Sequence, residues 1–277
     1  MEGRIIDFQV HVHAILELQK FRLDWKFMSS QSRQINTMSG FLSLLAHTTS
    51  HQSDLTHIES RQRSLPLSPS LPLKQHTLCF EFTYGITDDV ARAIEETFKL
   101  YQSLNHYVSA QKEIPEDLLE ACEGLGCHLN SWTFDHDRAV TLFPGDQNMQ
   151  MIFNHHANAW HRATFIYYLQ CIQGYPTQNV AEHVEQLLAH MNSAEQIKSK
   201  LPGIFMAPIT WPAFIASCSA TERAPWELWW TQAQHYAIGS IKRQFEIVKI
   251  IWAEMDSDPG ISWLNVIRKC KIEVLAL

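Results

Sequence analysis

The chain is poor in glycine and has no close cysteine pair, no basic run and no long apolar stretch, and each shortage removes a class of protein. Only 10 glycines occur in 277 residues. None is arranged as G-x-S-x-G, G-x-x-x-x-G-K-[ST] or G-x-G-x-x-G, so the nucleophile elbow, the phosphate loop and the dinucleotide turn are excluded. The 6 cysteines, at 79, 122, 127, 171, 218 and 270, include no C-x2-C pair and encode neither a zinc ribbon nor a redox dithiol. They read as small buried hydrophobes. Lys+Arg number 22 against 29 Asp+Glu, a net charge of −7, and basic residues stand at most two together, so no general basic surface for nucleic acid is encoded. Apolar runs stay far short of the roughly 20 residues that cross a bilayer. The first residues, Met1 to Asp7, do not form a basic segment followed by an apolar core. A protein without a membrane span, placed in the nucleus or cytoplasm, is expected.

What the sequence does contain is apolar material at helical spacing. Hydrophobic residues make up 45% and charged ones 18%, enough for a large core. Val90, Ile94, Phe98, Tyr101, Leu104 and Val108 recur at intervals of three and four and predict a helix over 87–109, capped by Thr87 with Asp88 and Asp89 in its first turn. Pro115 opens a second helix with Leu118, Leu119, Cys122, Leu125 and Leu129 on its buried side, forming an antiparallel pair with the first. A long helix is predicted over about 149–172, apolar at Met151, Ile152, Trp160, Ala163, Phe165, Ile166, Tyr167 and Leu169 and stopped by Gly174-Tyr175-Pro176. Val180, Val184, Leu187, Leu188 and Met191 mark the next. Beyond Pro202-Gly203, Trp211-Pro212 starts a short apolar helix ending near Ser219, and Thr221 is expected to cap one that carries Trp226, Leu228, Trp229 and Trp230. Ile241 to Trp252 forms another, and a last helix holds Trp263, Val266, Ile267 and Val274. Period-two runs of β-branched residues are essentially missing. The predicted fold is all-α, about ten helices in a single orthogonal or solenoid-like bundle over 1–277. The Ser/Pro-rich stretch at about 48–75, with prolines at 66, 69 and 72, is the expected mobile loop.

Fifteen histidines call for a metal and acid-base check. His11-Val12-His13 sets two imidazoles about 200° apart on a helix, and in His155-His156-x4-His161 no pair stands four residues apart, as a helical two-histidine metal site requires. No metal and no cofactor is expected. Asp135-His136-Asp137 reads as a solvated loop. Late in the chain the aromatics are dense. Such a stripe is ordinary core, yet buried indoles need partners for their N–H groups, and an apolar pocket with a few polar groups is the functional alternative. The candidate ligand-binding residues are Trp160, Trp211, Phe214, Trp226 and Trp230.

The order of motifs carries a resemblance. Trp211-Pro212-Ala213-Phe214 through Ala220, then Arg223, Trp226, Trp229-Trp230, Ile241 to Val248, Trp252 and Trp263, resemble the C-terminal half of the fungal-specific transcription factor domain of zinc-cluster regulators. The likeness is to its second type, represented by arginine-metabolism and acriflavine-sensitivity regulators. Cys79 to Ile86 is similar to the extended segment leading into that family's central helices. Phe153-Asn154-His155-His156 with Tyr167-Tyr168 is similar to the helix before its Gly-Tyr-Pro turn, and His11 to Phe41 more loosely to the domain's beginning. The resemblance implies an all-α regulatory module of a fungal nuclear protein. None of the cysteines fits the six-cysteine zinc cluster through which those regulators bind DNA, so direct DNA binding is not expected of these residues.

A regulatory module without its own DNA-binding zinc cluster would sense a small apolar metabolite or a regulatory protein, as a homodimer, in fungal specialised or nitrogen metabolism. The alternative is the same fold recruited as a cofactor-independent cyclase or isomerase acting on an apolar metabolite. Its candidate donors are His156 and Tyr84, with Glu81 or Glu222 as acid.

Overall fold

A computed structural model describes residues 29–50, 78–201, 206–272 and 274. The His11/His13 pair, the stretch from 51 to 77 that holds the Ser/Pro-rich loop, and Pro202-Gly203 lie outside these residues. Among the described residues there are eleven α-helices and no strand. We number them α1 (Ser30–Thr48), α2 (Leu78–Tyr84), α3 (Asp88–Ser109), α4 (Glu116–Ser131), α5 (His136–Leu142), α6 (Gln147–Cys171), α7 (Ala181–Lys198), α8 (Thr210–Cys218), α9 (Ala224–Ala233), α10 (Gly239–Ser257) and α11 (Trp263–Lys269). Short 3-10 turns at Thr177–Val180 and Gln234–Tyr236 lead into α7 and out of α9.

Helix α6 is the hub. It packs against α2, α3, α4, α5, α7 and α8, and 13 of its 25 residues are buried. A helix touched from so many sides cannot keep a narrow apolar stripe. Ala157, Ala159 and Ala163 are fully buried, and such small side chains let neighbouring helices come close. The helix starts where Asp146 accepts a hydrogen bond from the Met149 N–H (3.0 Å), an N-cap that satisfies one otherwise free donor. One hydrophobic cluster continues from Phe41 in α1 to Val274. A satellite cluster of Ala139, Phe143 and Phe153 fastens α5 to α6.

Several sequence expectations need correction. Residues 79–86 are not extended. They form α2 and the turn after it, because a helix satisfies its own backbone groups where no neighbouring strand is present to do so. The helix buries Phe80 and Glu81 together and leaves Phe82 59% exposed, where a strand would have put Phe80 and Phe82 on one face. Asp135-His136-Asp137 is not a loop. Asp135 caps α5 by accepting from the Arg138 N–H, and His136 lies edge-on to Phe134. Thr221 does not cap α9, which begins after Arg223 with Pro225 in its first turn, where the fixed prolyl φ favours initiation. Val274 is buried but lies beyond α11, and its carbonyl accepts from Thr49 Oγ1 (2.9 Å). Thr48 and Thr49, assigned to the loop by sequence, are instead the buried end of α1. Val108, Leu119, Met151 and Leu228 face outward. Each lies on its helix where no neighbour passes, a matter of packing that local periodicity does not record.

Candidate ligand site

Four tryptophans of the C-terminal half donate to internal acceptors. Trp211 Nε1 donates to Thr48 Oγ1 (2.9 Å), Trp230 Nε1 to Ser217 Oγ (2.8 Å), Trp252 Nε1 to the Ser217 carbonyl (2.7 Å) and Trp263 Nε1 to Gln170 Oε1 (2.7 Å). Trp160 Nε1 donates to the Tyr84 carbonyl (2.9 Å), and its ring stacks on Trp211 at 5.4 Å between centroids. All five candidate ligand-binding residues, Trp160, Trp211, Phe214, Trp226 and Trp230, are at most 2% exposed. The structure brings Trp160 and Trp211 into contact and links Trp226 to Trp230 through Trp229. Phe214 meets Trp263 edge-on.

Of the four candidate donors and acids, three gather where α2 meets its partners. His156 is buried with Nδ1 unpartnered, and its Cβ would lie 2.4 Å from a Cβ added at Gly85, which has φ +67°. Only glycine fits that turn. Burial holds the imidazole well below its ordinary pKa, with Lys198 adding to the effect, so it is neutral. Tyr84 sits at the end of the same α2 whose Glu81 turns to Arg138. The Arg138 guanidinium grips Glu81 through Nε (3.0 Å) and Nη2, so this carboxylate is an ion-pair anchor between α2 and α5. Glu222 is exposed in the α8–α9 linker, beside Arg223, which pairs with Asp256.

None of these four residues lines the cavity of about 300 Å³ that opens among α4, α6 and α7. Its wall is made by Asn158, His161, Arg162 and Phe165 of α6, by Trp132 and Phe134 of the α4–α5 linker, and by His183 of α7. Positions 158, 161, 162 and 165 follow the i, i+3, i+4, i+7 rule for one helix face. The linker is extended at Trp132 (ψ 137°), which carries its indole over His161, stacked at 4.3 Å and 13°. Trp132 Nε1 is anchored on Asp89 Oδ2 (2.6 Å). His161 Nε2 faces the Leu129 carbonyl at 2.8 Å, and since a carbonyl only accepts, the proton sits on Nε2. Arg162 Nη1 donates to His183 Nδ1 at 3.3 Å, which places the His183 proton on Nε2.

Burial pushes the His161 pKa down to about 4, with Arg162 adding to the effect against Asp89 and the Leu129 hydrogen bond. His183 is lowered by burial and then by Arg162. Farther along the α6–α7 seam His155 and His190 share a hydrogen bond between their Nδ1 atoms (3.1 Å). Burial and His155 bring His190 to about 4. At neutral pH all these rings are uncharged, leaving Arg162 as the fixed cation of the cavity wall. A shallower depression lies at the α5–α6 turn, lined by Val140 and 144–148 with Gln150. The five aromatic candidates line neither hollow. Among the described residues no group of three or more His, Cys, Asp or Glu is placed to hold a metal, and no helix is long and apolar enough to cross a membrane.

Sequence reasoning passed over Trp132, Arg162, Phe165 and His183 as a group. The spacing along α6 could have shown four cavity residues together, Asn158, His161, Arg162 and Phe165, but Trp132 and His183 join them only through the fold.

The fold and the cavity thus define an all-α module with a small, cation-bearing hollow beside its central helix. The chain belongs to the fungal specific transcription factor domain family, whose model matches residues 1–276. Comparisons with curated proteins and with solved structures found no match. Membership in this family supports a regulatory role.

Proposed function

We propose that the chain is a regulatory domain of the transcription-factor type that senses a small metabolite or a regulatory protein in fungal specialised or nitrogen metabolism, and that these residues do not themselves contact DNA. The family match over 1–276 carries the reading. The net charge of −7 supports the second part, because binding the phosphate backbone calls for clustered cations. Such a domain works in the nucleus or in the cytoplasm before import, and a homodimer is the assembly we expect. The test is a fusion of the 277-residue chain to an unrelated DNA-binding module in a fungal host carrying a matching reporter. Reporter output should differ from that of the module alone and should shift with growth medium. Output identical to the module alone in every medium overturns the regulatory reading. A salt-dependent gel shift by the unfused chain overturns the statement on DNA.

A further inference from the structure

We propose that the α4–α6–α7 cavity is a binding site for a planar aromatic monocarboxylate, recognised by the Arg162 guanidinium and the Trp132/His161 stack. The inference rests on the small-ligand branch of the proposed function and names its site and ligand class.

Charge comes first. None of the ten residues lining the cavity is Asp or Glu, and among the described residues Arg162 makes no ion pair with a carboxylate; its hydrogen bond runs to the neutral His183 ring. Three other arginines do find carboxylates, Arg92 with Asp88, Arg138 with Glu81 and Arg223 with Asp256, while Arg268 donates to the Tyr101 hydroxyl and the exposed Arg243, like Arg162, has no carboxylate pair among the described residues. Two carboxylates bear on the cavity from outside, and neither pairs with Arg162: Asp89 accepts from the Trp132 indole and Glu182 from the Gln186 amide (2.9 Å). A guanidinium presents a planar fork of donors matched to a carboxylate. Its single positive charge, beside neutral imidazoles, fits one carboxylate and leaves a polyphosphate uncompensated.

Shape and surface come next. Trp132 and His161 are stacked nearly parallel, and His161 and Phe165 lie 6.3 Å apart at 25°. Phe134 adds a further aromatic wall. A wall so rich in aromatic side chains favours a flat, aromatic partner. At about 30 Å³ per water, the volume corresponds to about ten waters, the scale of a one- or two-ring acid. The anchors are rigid: Trp132 is tied to Asp89, His161 to Leu129 and His183 to Arg162, so little ordering remains to be done on binding. Ligand contacts would also join α4, α6 and α7, giving occupancy a direct effect on how these helices hold together.

Isothermal titration of the full chain with benzoate, 1-naphthoate and indole-3-carboxylate, each against its neutral amide, tests the proposal. At least one acid should bind with a Kd below about 1 mM and about tenfold or more tighter than its amide. Arg162→Gln should remove that preference, whereas Arg243→Gln, a change at an exposed cation on α10, should keep it. The indole N–H resonance of Trp132, assigned by its loss in Trp132→Phe, should shift on binding. Equal binding of acids and amides, no binding by any of the three acids, or an unchanged preference in a folded Arg162→Gln overturns the proposal. The acid-against-amide comparison uses the unaltered chain, so an unfolded variant does not spoil it. A chain that moves the reporter while ignoring all three acids overturns this site alone. One that binds an acid through Arg162 but leaves the reporter unmoved overturns the regulatory reading alone.

Discussion

Ser217 serves two indoles at once, its hydroxyl accepting from Trp230 and its carbonyl from Trp252, while the hydroxyl donates to the Ala213 carbonyl (2.6 Å). Ser217 and Trp230 are both fully buried, so neither can turn to water. Ser217→Ala would leave the Trp230 N–H buried without an acceptor and should cost about 1–3 kcal/mol, read as a lower urea midpoint at unchanged slope. Trp230→Phe should then cost less in the Ser217→Ala background than in the unaltered protein, because the donor it removes has already lost its partner. Purely additive losses would show that the hydrogen bond contributes nothing. Trp211 with Thr48, and Trp263 with Gln170, follow the same pattern. Four indoles of the C-terminal half therefore each have an internal acceptor, supplied by Thr48, Ser217 and Gln170.

At the scale of elements, α2 is a seven-residue helix, too short to stand alone. It is held by Phe80 against Phe41 of α1 (4.8 Å), by the Tyr84 carbonyl under Trp160, and by the Glu81–Arg138 ion pair to α5. Glu81 is 5% exposed, so Arg138→Met would strand its charge and should cost about 3 kcal/mol. Hydrogen exchange over Phe80–Tyr84 should accelerate more than over α7. Adding Glu81→Gln to Arg138→Met should recover most of the loss. If the single and double variants are equally unstable, the pair does not hold α2. The far end of α7 is tied in another way: Lys198 donates to Glu195 (2.8 Å), and Tyr236, in the turn after α9, also donates to Glu195. The seam that frames the cavity thus has a fixed C-terminal end.

For the whole molecule, the half-buried and buried histidines set a pH dependence. His161 and His190 have folded pKa values of about 4, and His155, His156 and His183 are also lowered, against an ordinary value near 6.5. Below pH 6.5 the unfolded chain binds protons that the folded chain refuses, so stability falls as pH drops from about 6.5 towards 4. For His161 alone the loss between pH 7 and pH 5 is roughly 2 kcal/mol. The melting temperature should fall clearly over that interval, where most carboxylates stay ionised, and His161→Phe should flatten the fall. A melting temperature independent of pH between 7 and 5 would mean that these imidazoles protonate freely in the folded state. Occupation by a carboxylate beside Arg162 would lift the His161 and His183 pKa values and soften the same slope.

Helix positions were legible along most of the chain because apolar residues at three- and four-residue spacing report which local face is buried. Val90, Ile94 and Phe98 of α3, and Cys122, Leu125 and Leu129 of α4, stand where that spacing puts them. Periodicity fails where a neighbour, or the lack of one, decides. It could not show that Phe82 would turn outward while Glu81 went inward to meet Arg138, 57 residues away, or that Val108 and Leu119 would face solvent. The cavity has the same origin. Asn158, His161, Arg162 and Phe165 share a face by local geometry, but Trp132 and His183 reach it from separate segments, and the neutral state of the histidines follows from burial that only packing creates. Local spacing specifies helices because backbone hydrogen bonds close over four residues. Sites made by contacts across tens of residues exist only once those helices are packed.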